Sequence, residues 1–473
     1  MRTVIHWFRR DLRIADNTAL SEAARRAQNV IPVFIAEDAP FTGPDVGAAR
    51  LAFLLRSLDS LRENLRELGC ALIIRRGRPE LELPKLCQET GAAAVFCNKG
   101  YEPGEKRRDE RIFNALNAAG IGFESFKDAV VWEEQEVLTQ AGRPFTVFTP
   151  YSKAWKARPI PAPRPGFKRR PPPVADQRLK SNDLPTGPLQ RARSLMQDLP
   201  AAGERAAQSA LRKFTRGPVY DYAATRDFPA AHGTSQLSPH LRCGTISVRT
   251  ILAALKKARA EATPAQRKGC DVFLNELIWR EFYQQVLANF PHVAQGGFRP
   301  EYNALQWSDD RDHFQAWREG MTGYPIVDAA MRCLNATGWM HNRLRMIVAM
   351  FLTKDLLIHW QSGERYFMHQ LVDGDLAANN GGWQWSAGTG TDAAPYFRIF
   401  NPVAQGRKFD AHGAFVRRWV PELASLPDDF IHQPWKEPPV LKQTKYPKRI
   451  VVHEQQRPQC LALYQSVKRA RAA

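Results

Sequence analysis

Over the first 130 residues, short and largely apolar runs alternate with stretches of helical period. Thr3–Phe8, Val30–Ile35, Ala71–Ile74 and Ala93–Cys97 are near-continuous in apolar residues, as strands buried on both faces require. Between them lie amphipathic segments such as Ala49–Leu68. Strands alternating with helices predict a parallel, doubly wound sheet. Such sheets take up ligands beyond the carboxyl ends of their strands, which makes Phe8-Arg-Arg-Asp-Leu-Arg13 and Asn98–Glu105 candidate ligand loops. Capping and solvation of the loop ends would explain the same charges.

From about Trp155 to Pro200 the pattern dissolves into proline and basic residues (Pro159, Pro161, Pro163, Pro165 and Pro171–Pro173), which reads as an extended connector. Helical periodicity then dominates to about residue 430 with no strand series. The expected organisation is an α/β domain over 1–130, a linker over 131–200 and a helical domain over 201–473. Beyond Pro434 the chain is polar, basic and short for a signalling tail.

Charge adds a partner to this picture. With 67 Lys and Arg against 48 Asp and Glu the net charge is +19, a field that attracts polyanions, nucleic acid foremost. The 44% apolar content suits a globular protein with ample core. Seven cysteines stand singly, without zinc spacing, and fit a reducing compartment. Arg9, Arg10, Asp11 and Arg13 interrupt any secretory apolar region, and Met346–Leu352 is too short to span a bilayer, so a cytoplasmic protein without membrane contact is expected.

Candidate chemistry concentrates in the helical half. Asp373–Trp385 packs carboxylates, amides and indoles into one short stretch, a combination suited to orienting a polar redox cofactor. Gly388-Thr-Gly-Thr-Asp-Ala393 matches a dinucleotide fingerprint in letters alone, since no strand precedes it and Pro395 follows. Gly233-Thr-Ser-Gln-Leu-Ser-Pro-His240 clusters hydroxyls at a helix start, where backbone N–H groups suit a pyrophosphate; plain N-capping would look the same. In Asn275–Tyr283, helical spacing puts Glu276, Trp279, Arg280 and Tyr283 on one face, a ligand-facing wall or an internal ion pair, with Leu277 and Ile278 turned inward. Gly338–Met346 places Asn342, Arg345 and Met346 on neighbouring positions, suited to a base-like ligand or to the polar first turns of a buried helix. Trp307, Trp360 and Trp383 could relay electrons or simply pack.

In chain order, Trp7–Arg13, Gly233–Ser238, Asn275–Phe282, Gly338–Met346 and Asp373–Trp385 resemble the class I cyclobutane pyrimidine dimer photolyases of the photolyase/cryptochrome family. The resemblance implies an N-terminal α/β antenna domain and a C-terminal helical domain holding folded FAD. It assigns FAD contacts to Tyr222, Thr234, Ser235, Gln236, Leu237 and Ser238, and to Asp373, Gly374 and Asp375, with Arg345 pairing Asp373 and Asn379 facing flavin N5. Trp383, Trp360 and Trp307 become a photoreduction chain. Trp279 and Trp385 wall the lesion, Glu276 hydrogen-bonds it, and Arg280, Tyr283, Asn342, Arg343, Met346 and Gln405 line the DNA side.

The implied activity is light-dependent repair of ultraviolet-damaged DNA by a monomer with no obligate protein partner. An electron from photoexcited reduced FAD enters a flipped-out dimer, whose radical anion Glu276 stabilises. A second chromophore is expected in the α/β domain: methenyltetrahydrofolate, or alternatively a deazaflavin or flavin. A cryptochrome-type blue-light receptor is the rival reading, opposed by Glu276, Trp279 and Asn379. A (6-4) photolyase is the other, and Met340-His-Asn342 carries a single histidine where those enzymes pair two.

Overall fold

A computed structural model describes residues 1–37, 46–167, 179–184 and 199–472, which gather into two compact units. The Pro171–Pro173 part of the expected connector lies outside the described residues. The first unit comprises 1–223, 235–289 and 372–375, and the second 224–234, 290–371 and 376–473.

In the first unit, strands β1 (Thr3–Phe8), β2 (Asn29–Ala36), β3 (Ile73–Arg76), β4 (Ala94–Asn98) and β5 (Gly122–Phe126) form one parallel sheet ordered β3-β2-β1-β4-β5. Alternation along β1 explains why both faces are buried. Val4 and Phe8 join Phe34, Ile74 and Phe96 under helices α1 (Thr18–Arg26) and α2 (Ala48–Glu67). Ile5 and Trp7 join Val33, Ile35 and Val95 over α3 (Pro79–Thr90) and α4 (Pro103–Ala118). The doubly wound sheet is therefore as the sequence predicts. The strand it does not predict is β5, an edge strand with two phenylalanines among half-exposed residues.

The loop after β1 binds this unit to itself. Arg13 donates to Asp128 at 2.6 Å, and Arg249 reaches Asp128 at 2.8 Å and Asp16 at 3.1 Å, all buried. Ile14 and Ala15 donate their N–H groups to the Glu204 carboxylate at 2.9 Å each. Arg9 pairs with Asp109 while its guanidinium covers Trp7, 4.8 Å from the ring centroid. Much of the charge at the carboxyl ends of the strands is thus consumed by the protein's own ion pairs. Ser181 and Asn182 hydrogen-bond to Ile74, so this piece of the connector runs along β3.

The long helix α5 (Pro264–Asn289) completes the unit. Leu277 and Ile278 are buried as its periodicity predicts. So is Glu281, 2% exposed, which accepts from the N–H of Val131 (2.6 Å), the N–H of Trp132 (2.9 Å) and Trp155 Nε1 (2.6 Å). Burial pushes the Glu281 carboxyl up to about 7 even with these donors.

The second unit is helical. α6 (Pro325–Thr337), α7 (Asn342–Met350), α8 (Trp360–Gln370) and α9 (Leu376–Ala387) enclose a core that includes Met331, Leu344, Phe351, Trp360, Phe367 and Trp383. A π-helical turn, Phe351–Asp355, follows α7; its buried Lys354 donates to the Ala387 carbonyl at 2.8 Å, and Asp355 binds His453 at 2.5 Å. Among the described residues no helix is long and apolar enough to cross a membrane. All seven cysteines are buried and free of disulfides.

Candidate active site

Within the first unit, the segment 372–375 is gripped by arginines. Arg50 Nη1 and Arg242 Nε donate to the Gly374 carbonyl at 3.0 and 2.6 Å, and Arg10 Nη2 donates to Asp375 at 2.6 Å while also pairing with Glu102. Asp373 is buried in the same segment, 7% exposed. Burial raises the Glu102 carboxyl to about 7, and the Arg10 charge pulls the other way. Arg10, Arg50 and Arg242 were not foreseen here. Arg10 stands inside a motif already singled out and Arg242 two residues beyond another, but no local pattern aims either at the segment 372–375.

Tyr222 is buried against Phe214 and Phe273, with centroids 5.8 and 5.3 Å away. Ser235 Oγ accepts from the Leu237 N–H at 3.4 Å, and Gln236 adopts a left-handed φ of 53° just ahead of the short helix Ser238–Cys243. Leu237 is buried, whereas Gln236 and Ser238 are exposed. Thr234, which belongs to the second unit, is half-buried beside Gly233, whose added Cβ would meet Thr225 at 2.5 Å.

Helix α5 brings the predicted aromatic face together. Trp279 and Tyr283 lie 5.5 Å apart, and Glu276 is half-buried one turn before Arg280. Arg280 Nη1 donates to the Ala129 carbonyl at 2.8 Å. The partner that sequence reasoning missed is Phe148, whose ring is stacked on Trp279 at 3.7 Å and 4°. Its trace in the sequence is the run Phe145-Thr-Val-Phe148 ahead of Pro150.

In the second unit, Asn379 Nδ2 donates to the Glu364 carbonyl at 3.0 Å, which orients the amide and leaves its oxygen as an acceptor. Arg345 Nε donates to the Met340 carbonyl at 2.8 Å. Arg343 pairs with Asp227 at 2.9 Å and covers the Phe409 ring, 4.4 Å from its centroid. Asn342 is exposed at the start of α7, and Met346 and Trp385 are half-buried. His341 caps α7 through Nδ1, and burial lowers it to about 4, so the ring is neutral at pH 7. Gln405, on the helix Pro402–Phe409, holds a buried side-chain oxygen with no hydrogen-bond partner among the described residues. Exposed Arg407 and Lys408 on that helix help line an open hollow of about 480 Å³.

The tryptophans occupy connected positions in this unit. Trp360 and Trp383 are each 2% exposed, and Trp307 is half-buried. Trp383 packs onto α8 at Gly363, where an added Cβ would stand 2.1 Å from the indole, and its ring centroid is 5.0 Å from that of Phe367.

Within the first unit, hydroxyls ahead of a helix start and an acidic segment locked in place by guanidinium groups are a donor set that suits a nucleotide cofactor. Residues 4–167 match the family described as DNA photolyase, and residues 273–466 match the FAD binding domain of DNA photolyase. The chain is 44% identical, over 98% of its length and 99% of the other, to the deoxyribodipyrimidine photo-lyase of Vibrio cholerae serotype O1. It superposes on the class III photolyase of Agrobacterium tumefaciens with a TM-score of 0.92 at 39% identity, covering 99% of this chain and 98% of that one. For the Sulfolobus tokodaii photolyase, a structure with two FAD molecules, the TM-score is 0.83 at 33% identity, covering 98% and 100%. With full-length likeness at these identities and both family regions in register, the chain belongs to the photolyase/cryptochrome family.

Proposed function

We propose that this chain repairs ultraviolet-damaged DNA in the light, as a deoxyribodipyrimidine photo-lyase of class I that splits cyclobutane pyrimidine dimers. The observation that carries the reading is the 44% identity, over 98% of the chain, to a protein of that name. The class rests on the motifs running from Trp7–Arg13 to Asp373–Trp385. Bound reduced FAD supplies, on absorbing light, the electron that opens the cyclobutane ring.

The protein's own residues do the rest. Tyr222, Thr234, Ser235, Gln236, Leu237, Ser238, Arg345, Asp373, Gly374 and Asp375 hold the cofactor. Asn379, with one N–H committed to Glu364, is left to accept from the N5–H of a reduced isoalloxazine. Trp279, backed by Phe148, offers its other face to the lesion, and Trp385 supplies a second apolar wall. Glu276 donates to or accepts from the damaged bases. Gln405 faces the DNA side, its side-chain oxygen unpartnered among the described residues. Arg280, Tyr283, Asn342, Arg343 and Met346 line the DNA side. Flipping the dimer out costs about a few kcal/mol, reduced at a poorly stacked step. Trp383, Trp360 and Trp307 refill an oxidised cofactor with electrons from the surface.

In this reading residues 1–130 form the antenna domain, 131–200 the linker and 201–473 the catalytic domain. A second chromophore, methenyltetrahydrofolate or alternatively a deazaflavin or flavin, sits in the first of these. The protein acts as a cytoplasmic monomer with no obligate protein partner. The test is repair of defined oligonucleotides by purified, reduced protein. Restoration of a thymine dimer in light and not in darkness is expected. Faster restoration of a (6-4) lesion would overturn the substrate, and no repair of either would favour a blue-light receptor. An absorption spectrum with chromophore extraction identifies the second pigment.

A further inference from the structure

The ring contacts between the two outer tryptophans run through a histidine. The Trp307 and His359 centroids are 5.4 Å apart, and those of His359 and Trp360 5.9 Å apart with planes within 26°. The backbone holds this order in place. Ser308 donates to the Leu357 carbonyl at 2.7 Å, Ser308 and Ile358 form a parallel bridge, and Leu357 is held at a φ of 54°. A β-carbon residue in the left-handed region is sustained only where its surroundings impose it. His359 is also the N-cap of α8, its Nδ1 accepting from the Gln361 N–H at 3.1 Å. That bond needs a lone pair on Nδ1, so the capping ring is neutral with its hydrogen on Nε2.

We propose that the His359 ring is the bridge for electron transfer between Trp307 and Trp360, a positioning residue of the relay as well as a helix cap; this rests on the relay reading given above. Electrons tunnel farther through bonded and π-bonded matter than through a gap. Imidazole is harder to oxidise than indole, so the ring couples its neighbours without holding the vacancy itself. Its neutral form matters too: a cation there would oppose positive charge on either indole.

The electron count closes with an added thiol as reductant. One electron leaves Trp383 for the bound flavin, Trp360 refills Trp383, Trp307 refills Trp360 through His359, and the thiol refills Trp307. Each such turn oxidises one thiol to a thiyl radical, with loss of its proton to water, and reduces the flavin by one electron; a second turn completes the reduction, and the tryptophans end unchanged.

The cap and the ring can be separated by substitution. Asn is as good an N-cap as any residue, so His359→Asn keeps the cap and removes the ring, while His359→Phe keeps a ring and removes the cap. The oxidised, flavin-loaded variants are followed by flash photolysis with thiol present, beside their melting temperatures. His359→Asn is expected to melt like the parent but to lose photoreduction yield several-fold, with tryptophan-radical recombination as fast as in Trp307→Phe. His359→Phe is expected to melt lower and retain the yield. Parental yield and recombination in His359→Asn, alongside collapse in Trp307→Phe, would overturn the bridge and leave a cap. Parental photoreduction in Trp307→Phe itself would overturn the relay reading and the bridge with it.

Discussion

Trp279 lies flat on Phe148, ring centroids 3.7 Å apart and planes within 4° of parallel. The phenylalanine fixes the indole and covers one of its faces; in the function proposed above, a flipped base stacks on the other. Offset-stacked aromatic pairs contribute ~0.5–1.5 kcal/mol beyond area burial. Phe148→Ala should therefore weaken binding of a thymine-dimer oligonucleotide by about two- to tenfold with flavin content unchanged. Trp279→Ala should weaken it further, again with full flavin. A fluorescence titration beside the flavin-to-protein absorbance ratio measures both, and loss of flavin from either variant would reassign the pair to cofactor packing.

Gly363 gives a test on the other unit. In an ordinary helix interior Gly→Ala stabilises by about 1 kcal/mol. Here the new methyl would stand 2.1 Å from Trp383 Cη2 and 2.7 Å from a Leu352 methyl, in a core already filled. Gly363→Ala is expected to lower the melting temperature and, by displacing Trp383, to slow photoreduction of oxidised protein while sparing repair by protein reduced beforehand. A melting temperature at or above the parent's would mean that the indole has room to move.

The acid limb of stability should report Asp128. Burial would raise this carboxyl, but Arg13 and Arg249 together hold it down at about 2. An unfolded aspartate titrates near about 3.9. As pH falls the unfolded chain takes up its proton first, so the stabilisation is complete above that value and disappears as pH drops through the folded one. The term is on the order of 2 kcal/mol. Asp128→Asn should flatten the loss of stability between pH 5 and pH 2. It should also cost about 3–5 kcal/mol at pH 7, by leaving buried guanidinium groups without their carboxylate. Urea unfolding of both proteins across that range decides it, and parallel pH curves would remove Asp128 from the acid response.

These cases mark where the sequence is legible. The parallel sheet is, because Val4, Ile5, Trp7 and Phe8 must all be buried and only a two-faced sheet does that. The aromatic face of α5 is too, since helical period alone aligns Trp279 with Tyr283. What escapes are partners brought from far along the chain. Phe148 on Trp279, Arg50 on Gly374 and Trp155 on Glu281 join residues 131, 324 and 126 positions apart. β5 escapes for the opposite reason: a half-exposed edge strand lacks the apolar run that marks its neighbours. His359 reads as a single polar residue between Ile358 and Trp360, and only the folded turn sets it against Trp307.

DNA affinity should separate residues that hold the backbone from residues that read the lesion. If roughly 4 phosphates are neutralised, log affinity falls against log salt with a slope near −3.6. Lys408 is exposed on the helix Pro402–Phe409, and on the proposed function it is expected to contribute one such contact. Lys408→Ala should weaken damaged and undamaged DNA alike and make the slope shallower by about 0.9. Gln405, on the same helix, instead holds a buried oxygen unpaired among the described residues. Gln405→Ala should leave the slope as it is and weaken only damaged DNA, by about 1–3 kcal/mol if a hydrogen bond to the lesion is lost. Filter-binding isotherms at several salt concentrations, on oligonucleotides with and without one thymine dimer, measure both quantities. A Gln405→Ala protein that keeps the parent's preference for damage would remove this side chain from lesion recognition.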